Sequence, residues 1–350
     1  MGLEVQFAHW GLALVPVLVM LGLFVWLDAF KLMNLKEVLA LLGLGGLGAI
    51  ASYPVSGIFL DQLPIGFSNY SRFTAPWIEE AIKGLIVIGL FRFNRIGYKL
   101  DAVISGFAIG AGFSVVENII YLTRFPDYGA GTWLVRGLGT AVMHGTTLAV
   151  LAATAHEFAE RENREATSDF RFNLLWFVPG YLAAVAIHMA FNQFPDRPLL
   201  AMMGVALLAP VALIGVFHFG TAEAERWLAA DRAQHQGELD ALRGGNWPEG
   251  PAREKVEALA ARLGPDGAAR IRRYWELQAF LTVEAEETMM EEAAGDVAID
   301  KTEVRAAFAE LGELQRQLGP SALSAVKAAL PFSRNDIWEM SELRQRIARG

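Results

Sequence analysis

The sequence has no cysteine among its 350 residues. That absence excludes a disulfide framework, a cysteine-based metal or redox motif and a thiol nucleophile. Basic residues are also in deficit, because 30 lysines and arginines face 38 acidic residues and leave a formal net charge of −8. Since no stripe of lysine and arginine stands out, we expect no nucleic-acid partner.

Apolar residues, in contrast, make up 53% of the chain and lie mostly before about residue 219. Because a helix needs about 20 apolar residues to cross a bilayer, the runs predict an all-α bundle of about seven transmembrane helices over residues 1–219. A soluble, cytosolic helical domain is expected over residues 220–350. Gly106 and Gly110, four residues apart, predict close helix packing. The expected spans are His9–Ala29, Val38–Leu60, Thr74–Phe91, Ala102–Thr123, Thr132–Ala155, Leu174–Phe194 and Leu199–Phe219.

The charged loops between these spans set the expected orientation, because short cytoplasmic loops are enriched in lysine and arginine. Basic residues concentrate after the first, third and fifth spans, whereas the alternate loops hold only Arg72, Arg124, Arg136 and Arg197. We therefore expect the N-terminus outside and the C-terminus in the cytoplasm. Met1–His9 contains no lysine or arginine, so the first run is expected to stay as a membrane helix and not to be cleaved as a signal peptide.

Four of the predicted spans contain ionisable side chains, which the hydrocarbon core disfavours. They are Glu79, Glu80, Lys83, Glu117, His144 and His188. A charge near the bilayer centre costs roughly 2.5–3.5 kcal/mol on insertion scales, so such residues usually serve a function. In the expected orientation, most of them lie about 8–10 Å below the outer ends of their spans, with His144 deeper. This shared depth predicts one polar chamber beneath the outer leaflet.

The residue types in this set suit the activation of water. A carboxylate in a poorly solvated site can act as a general base near neutral pH. Two histidines and a carboxylate can bind zinc, which lowers the pKa of a bound water to about 7. Asn192, one turn after His188, can donate a hydrogen bond to an oxyanion. Glu79 and Lys83 lie four residues apart and are expected to pair, whereas Glu80 points about 100° away.

Other interpretations fit the same residues. A lone membrane histidine more often makes an interhelical hydrogen bond than binds a metal, and a Glu–Lys pair on one helical turn is often structural. The set would also suit a proton- or ion-coupled transporter that uses glutamate and histidine as a relay. Against a transporter, the sequence shows no evident inverted repeat and no paired broken helices. A third alternative is a non-catalytic membrane scaffold whose cytosolic helices recruit partners.

Four segments closely resemble the motifs of the PrsW family of intramembrane proteases: Glu79–Lys83, Phe113–Asn118, His144-Gly145 and His188–Asn192. That family belongs to a superfamily with the CAAX prenyl proteases and bacteriocin-processing enzymes. In the CAAX branch the second motif typically ends in histidine, where this chain has Glu117. The difference favours the PrsW branch.

The resemblance implies an endopeptidase that hydrolyses a peptide bond of a membrane-protein substrate within the lipid bilayer. The best-known members make the first cut in a membrane-bound anti-sigma factor, on its extracytoplasmic side. We accordingly expect a multi-pass protein of a bacterial inner membrane. The family is classed with metallopeptidases, whereas relatives in the CAAX branch are argued to work without a metal. We expect zinc, because two histidines and several carboxylates are present.

The expected roles follow from this chemistry and from the resemblance. Glu79 or Glu80 acts as general base on a water that His144 and His188 also hold, and Lys83 fixes the glutamate pair. Glu117 is the third ligand or an orienting carboxylate, and Asn192 stabilises the oxyanion. The expected set is thus Glu79, Glu80, Lys83 and Asn192 for catalysis and Glu117, His144 and His188 for the metal.

Beyond about residue 220 the pattern predicts amphipathic helices, with a break at Gly244-Gly245. An acidic cluster in this region is interpreted as a solvated helix face; its members are Glu284, Glu286, Glu287, Glu291 and Glu292. The resemblance does not extend to this region, which we expect to bind a cytosolic partner or to self-associate. The predicted helices are Glu223–His235, Arg253–Leu263, Ala268–Met290, Glu303–Leu318 and Ser321–Leu330.

Overall fold

The computed structural model describes residues 3–27, 35–163, 172–193, 199–205, 207, 231–294 and 301–349. These residues form helices and connecting turns, with no strand among them, which confirms the all-α prediction. The chain divides into two compact units. The first comprises Met1–Arg161 and Phe172–Gly220, and the second comprises Glu162–Arg171 and Thr221–Gly350.

The described part of the first unit contains six main helices. Two π-helical segments, Tyr70–Thr74 and Val135–Thr140, lead directly into the third and fifth of them. Such widened turns occur frequently at functional sites. The helices are α1 (Leu3–Leu27), α2 (Leu35–Gln62), α3 (Ala75–Arg92), α4 (Lys99–Arg124), α5 (Ala141–Asn163) and α6 (Phe177–Asn192).

Four described stretches are long and apolar enough to cross a membrane: Leu35–Gln62, Lys99–Arg124, Ala130–Glu162 and Leu174–Asn192. They confirm the second, fourth, fifth and sixth predicted spans. In α1 the apolar stretch is shorter, Gln6–Gly22. The third predicted span corresponds to α3, an 18-residue helix that includes the charged residues of the first motif. The seventh prediction, residues 199–219, lies mostly outside the described residues, although 199–205 are helical.

Glycines bring α4 and α5 into backbone contact beside a predicted site residue. A methyl carbon added at Gly110 would lie 2.1 Å from the carbonyl oxygen of His144, and one at Gly106 would lie 2.5 Å from the carbonyl oxygen of Leu148. Both distances are shorter than any van der Waals contact, so only glycine permits this separation. The predicted role of Gly106 and Gly110 in helix packing is confirmed.

The opposite side of α4 packs against α2 in the same way. A methyl carbon at Gly45 would lie 1.9 Å from the carbonyl oxygen of Ile109, and one at Gly112 would lie 1.9 Å from that of Leu42. Because α4 is enclosed by α2 and α5, its side chains are buried from Leu100 to Ser114. The exposed face of α2 is apolar, as lipid contact requires; it includes Leu39, Leu44, Leu47 and Ile50.

The described part of the second unit contains α7 (231–243), α8 (Arg253–Ala294), α9 (Lys301–Ala329) and α10 (Arg334–Arg349). Both α8 and α9 are interrupted by a Gly-Pro pair, in which Gly264 and Gly319 adopt φ values of 73° and 74°. Such positive φ angles favour glycine, and proline cannot donate a helical hydrogen bond. The breaks expected after Leu263 and Leu318 are therefore confirmed. Helix α10 was not predicted from the sequence.

The predicted first helix and the predicted acidic face of this unit differ in their outcome. The predicted helix Glu223–His235 lies largely outside the described residues, and its described part belongs to α7, which ends just before the predicted Gly244-Gly245 break. The interpretation of the acidic cluster as a solvated face is wrong for Glu286, which is 0% exposed. Glu286 lies against His235 and is buried by that contact, whereas Glu287 reaches the surface and pairs with Arg232 at 3.0 Å.

Candidate active site

Four helices of the first unit bring the predicted ionisable residues into one cluster. Helix α3 supplies Glu79, Glu80 and Lys83, and the other members come one each from α4, α5 and α6. Side chains separated by more than 100 residues in the sequence are in direct contact. The cluster comprises Glu79, Glu80, Lys83, Glu117, His144 and His188.

Lys83 lies at the buried centre of this cluster. Its Nζ lies 2.6 Å from Oε1 of Glu80 and 2.8 Å from Nδ1 of His144, and both charged side chains are fully buried. The ion pair of Lys83 is therefore with Glu80, three residues earlier, and not with Glu79 as expected. Residues three and four apart both lie on one helix face, so spacing alone could not separate the two choices.

The tautomer of His144 follows from its partners. The ammonium of Lys83 can only donate, so Nδ1 of His144 accepts a hydrogen bond. Nε2 then carries the proton and donates a hydrogen bond to Oε2 of Glu117 at 3.3 Å. His144 is thus held between a cation on one side and a carboxylate on the other, with its carbonyl against Gly110.

His188 is oriented by the second glutamate of α3. Its Nδ1 lies 2.8 Å from Oε1 of Glu80, and since a carboxylate only accepts, Nδ1 is the donor. Nε2 therefore holds a lone pair, 3.9 Å from Oε2 of Glu79. The rings of His188 and His144 pack edge to face, with centroids 4.9 Å apart.

The two adjacent glutamates of α3 occupy different environments. Oε1 of Glu80 accepts hydrogen bonds from Lys83 and His188, and the side chain is 0% exposed. The Glu79 side chain is 15% exposed, and among the described residues no lysine or arginine lies within ion-pair distance of it. Glu79 is therefore the accessible carboxylate of the pair, and Glu80 is the anchored one.

Arg136 is a site residue that the sequence analysis missed, because it was counted as a loop charge. It lies in the π-helical segment before α5, and its Nη2 is 3.1 Å from Oε2 of Glu117. Its Nε donates to Oδ1 of Asn118 at 3.1 Å, and its guanidinium stacks 3.6 Å from the Tyr121 ring centre. The available signal was a cation inside the predicted span Thr132–Ala155, the same signal that identified the glutamates.

Asn192 is placed next to the backbone before α3. Its Nδ2 donates to the carbonyl oxygen of Ser71 at 2.9 Å, and Tyr181 of the same helix donates to the carbonyl oxygen of Trp77 at 2.9 Å. These two hydrogen bonds hold α6 against α3 and the segment before it. Since His188 lies between Tyr181 and Asn192 on α6, they also fix its position. The expected contact between Asn192 and an oxyanion stays a prediction.

A metal would find suitable ligands in this cluster. Glu79, His144 and His188 each offer a donor atom, and the three atoms lie within 4.8 Å of one another. Two imidazoles and one carboxylate form a ligand set typical of catalytic zinc sites. Three carboxylates and two cations also leave the cluster with a formal charge of −1 when the histidines are neutral. The residues therefore fit a divalent cation. Glu79 completes this group of three, whereas the expected Glu117 lies 3.3 Å from Nε2 of His144 and pairs with Arg136 at 3.1 Å.

Comparison with known proteins identifies the family of the chain. Residues 34–217, just over half of the chain, match the model of a family described as PrsW family intramembrane metalloprotease. The chain is 24% identical over 226 residues to Protease PrsW of Clostridioides difficile (strain 630). The aligned region covers 62% of this chain and 80% of that protein. No solved structure matches the chain significantly.

Proposed function

Because the chain belongs to the PrsW family of intramembrane metalloproteases, we propose that it cuts a peptide bond of a membrane-protein substrate with a water activated between Glu79 and two histidines. The observation that carries this proposal is the convergence of Glu79, His144 and His188 on one point from three helices. Amide hydrolysis requires a base close to groups that can hold the attacking water or a metal ion, and these three side chains provide both.

Glu79 is the proposed proton acceptor. Its carboxylate is partly exposed and faces the free Nε2 of His188, so a water between them would be within reach of both. Glu79 takes the proton of the attacking water and returns it to the amide nitrogen as the peptide bond breaks. This proposal distinguishes between the two adjacent glutamates, which the sequence left as alternatives.

Glu80 and Lys83 act as positioning residues in this proposal. Glu80 fixes the tautomer of His188 by accepting a hydrogen bond from its Nδ1–H, and Lys83 hydrogen-bonds Glu80 and His144 at the same time. Histidines at reactive centres are commonly oriented by such a carboxylate. On the other side of His144, Arg136 positions the carboxylate of Glu117 through an ion pair.

Zinc held by His144, His188 and Glu79 would polarise the scissile carbonyl and lower the pKa of the attacking water to about 7, and one ring nitrogen of His144 would give up its hydrogen bond to bind the metal. Glu79 would also accept the proton of the attacking water. Activity that is lost on chelation and restored by zinc supports this assignment, and full activity of metal-free protein overturns it.

The cleavage test compares membrane fractions from cells that express the wild-type chain, Glu79→Gln or Glu157→Gln. Glu157 is the matched control, because it lies toward the C-terminal end of α5, away from His144 in the first turn, and pairs with Lys99 at 2.9 Å. We expect a single-pass protein that is shortened with the wild type and with Glu157→Gln but intact with Glu79→Gln. Identical fragments in all three overturn the role of Glu79, and a solute flux without any fragment would support the transporter alternative.

The substrate class and orientation extend this proposal. The family match supports a membrane-protein substrate, and we propose a single-pass protein of the anti-sigma kind, cut on its extracytoplasmic side. That requires the N-terminus outside and the C-terminus in the cytoplasm of a bacterial inner membrane. Fusions of a periplasm-active phosphatase to either terminus test it: activity is expected at the N-terminus only, and activity at the C-terminus would overturn the orientation.

A further inference from the structure

A second cluster of potential metal ligands lies in the other compact unit, far along the sequence from the membrane helices. His235 comes from α7, Glu286 from α8 and Asp336 from the first turn of α10. Each offers one ligand atom, and these atoms lie within 4.8 Å of one another. Three separate helices of the unit therefore meet at this cluster, beside the unit's hydrophobic core.

The three side chains are packed tightly and are all buried. Nδ1 of His235 lies 2.8 Å from Oε1 of Glu286, and its Nε2 lies 3.6 Å from Oδ2 of Asp336. Exposures are 3%, 0% and 2% for His235, Glu286 and Asp336. The site is thus built into the core and does not result from acidic residues crowding on a surface.

One oxygen of this cluster has no partner. Oε2 of Glu286 is buried and makes no hydrogen bond, although buried polar atoms are nearly always paired. Glu238, one turn from His235, is a further buried carboxylate, but its oxygens bond Trp275 and Gln234. The cluster therefore contains a buried carboxylate oxygen that its own side chains do not satisfy.

We propose that His235, Glu286 and Asp336 form a binding site for a divalent cation of the zinc or manganese class. An imidazole with two carboxylates suits these borderline metals, whereas calcium and magnesium prefer oxygen ligands alone. A bound cation would replace the proton on the ring nitrogen of His235 that binds it, and Oε2 of Glu286 would be free to bind the same cation. Binding links α7, α8 and α10, and so stabilises the unit that the membrane-protease match does not reach.

The test uses the full-length chain in detergent, stripped of metal and then titrated with Zn²⁺ against a chromophoric chelator. Three variants separate the sites: Glu286→Gln removes a ligand, Glu287→Gln makes the same change one residue along at the surface, and His188→Ala removes a ligand of the proposed membrane site. We expect Glu286→Gln to bind one equivalent fewer than wild type and Glu287→Gln to bind the same number. His188→Ala is expected to keep the equivalent that Glu286→Gln loses.

Thermal unfolding followed by circular dichroism gives a second readout. Zn²⁺ should raise the unfolding midpoint of the wild type and of Glu287→Gln, and it should raise that of Glu286→Gln less. If Glu286→Gln does not fold, His235→Gln replaces it with the same expectations. Equal stoichiometry in Glu286→Gln and Glu287→Gln overturns the proposal, as does loss in His188→Ala of the same equivalent that Glu286→Gln loses.

Discussion

The carboxylate of Glu80 and the imidazole of His188 are joined by a 2.8 Å hydrogen bond between α3 and α6. Since the same carboxylate oxygen also bonds Lys83, and Lys83 bonds His144, a single buried chain of contacts orients both histidines. Glu79, which lies outside this chain, remains accessible. The two adjacent glutamates therefore have different environments, and their substitution should have different effects.

Substitution of each glutamate by glutamine should have a different consequence. Glu79→Gln removes the proposed base, which is partly exposed, so we expect cleavage to fall roughly 10²–10⁴-fold with the fold intact. Glu80→Gln leaves the ammonium of Lys83 buried without an ion-pair partner, which costs about 3–5 kcal/mol of stability. Cleavage assays and thermal unfolding in detergent check the two outcomes. Equal unfolding midpoints for the two variants would contradict the assignment.

Removing both partners of the buried ion pair should restore stability without restoring activity. In the double variant Glu80→Gln, Lys83→Met no buried charge is left unpaired, so most of the stability lost in Glu80→Gln should return. Cleavage should remain low because His188 and His144 have lost the groups that orient them. The unfolding midpoints of the two single variants and the double variant form the measurement, and additive losses would argue against coupling.

Gly110→Ala should separate α4 from α5 and displace His144. The added carbon would lie 2.1 Å from the carbonyl oxygen of His144, a backbone atom that cannot rotate away. We expect losses of both stability and cleavage. Gly89→Ala in α3 is the matched control, since nothing lies within 4 Å of its added carbon, and higher helix propensity should stabilise it by up to about 1 kcal/mol. Normal cleavage by Gly110→Ala would show that the helices can adjust.

Arg136→Lys should reduce cleavage although the positive charge is kept. The guanidinium contacts Glu117 and Asn118 through different nitrogens and stacks on Tyr121, and an ammonium cannot make this combination of contacts. By analogy with residues that support a metal ligand, a loss of roughly 10–100-fold is expected. Arg124→Lys, at an exposed position beside Tyr53, serves as control. Similar cleavage rates for the two variants would remove Arg136 from the site.

The sequence by itself determined the helical class, most of the membrane spans and the ionisable residues of the site. These are local properties: apolar run length decides whether a helix can span the bilayer, and Gly-Pro pairs such as Gly264-Pro265 end helices wherever they occur. The cost of a charge in hydrocarbon likewise marks a residue before its partners are known.

Only the tertiary structure decided which of these residues touch. It paired Lys83 with Glu80, placed Glu79 beside the histidines, added Arg136 to Glu117 and buried Glu286 against His235. Each of these contacts depends on how helices distant in sequence are rotated and spaced. That geometry is set by packing, as at Gly110, and helical periodicity leaves it undetermined because positions three and four apart share a face.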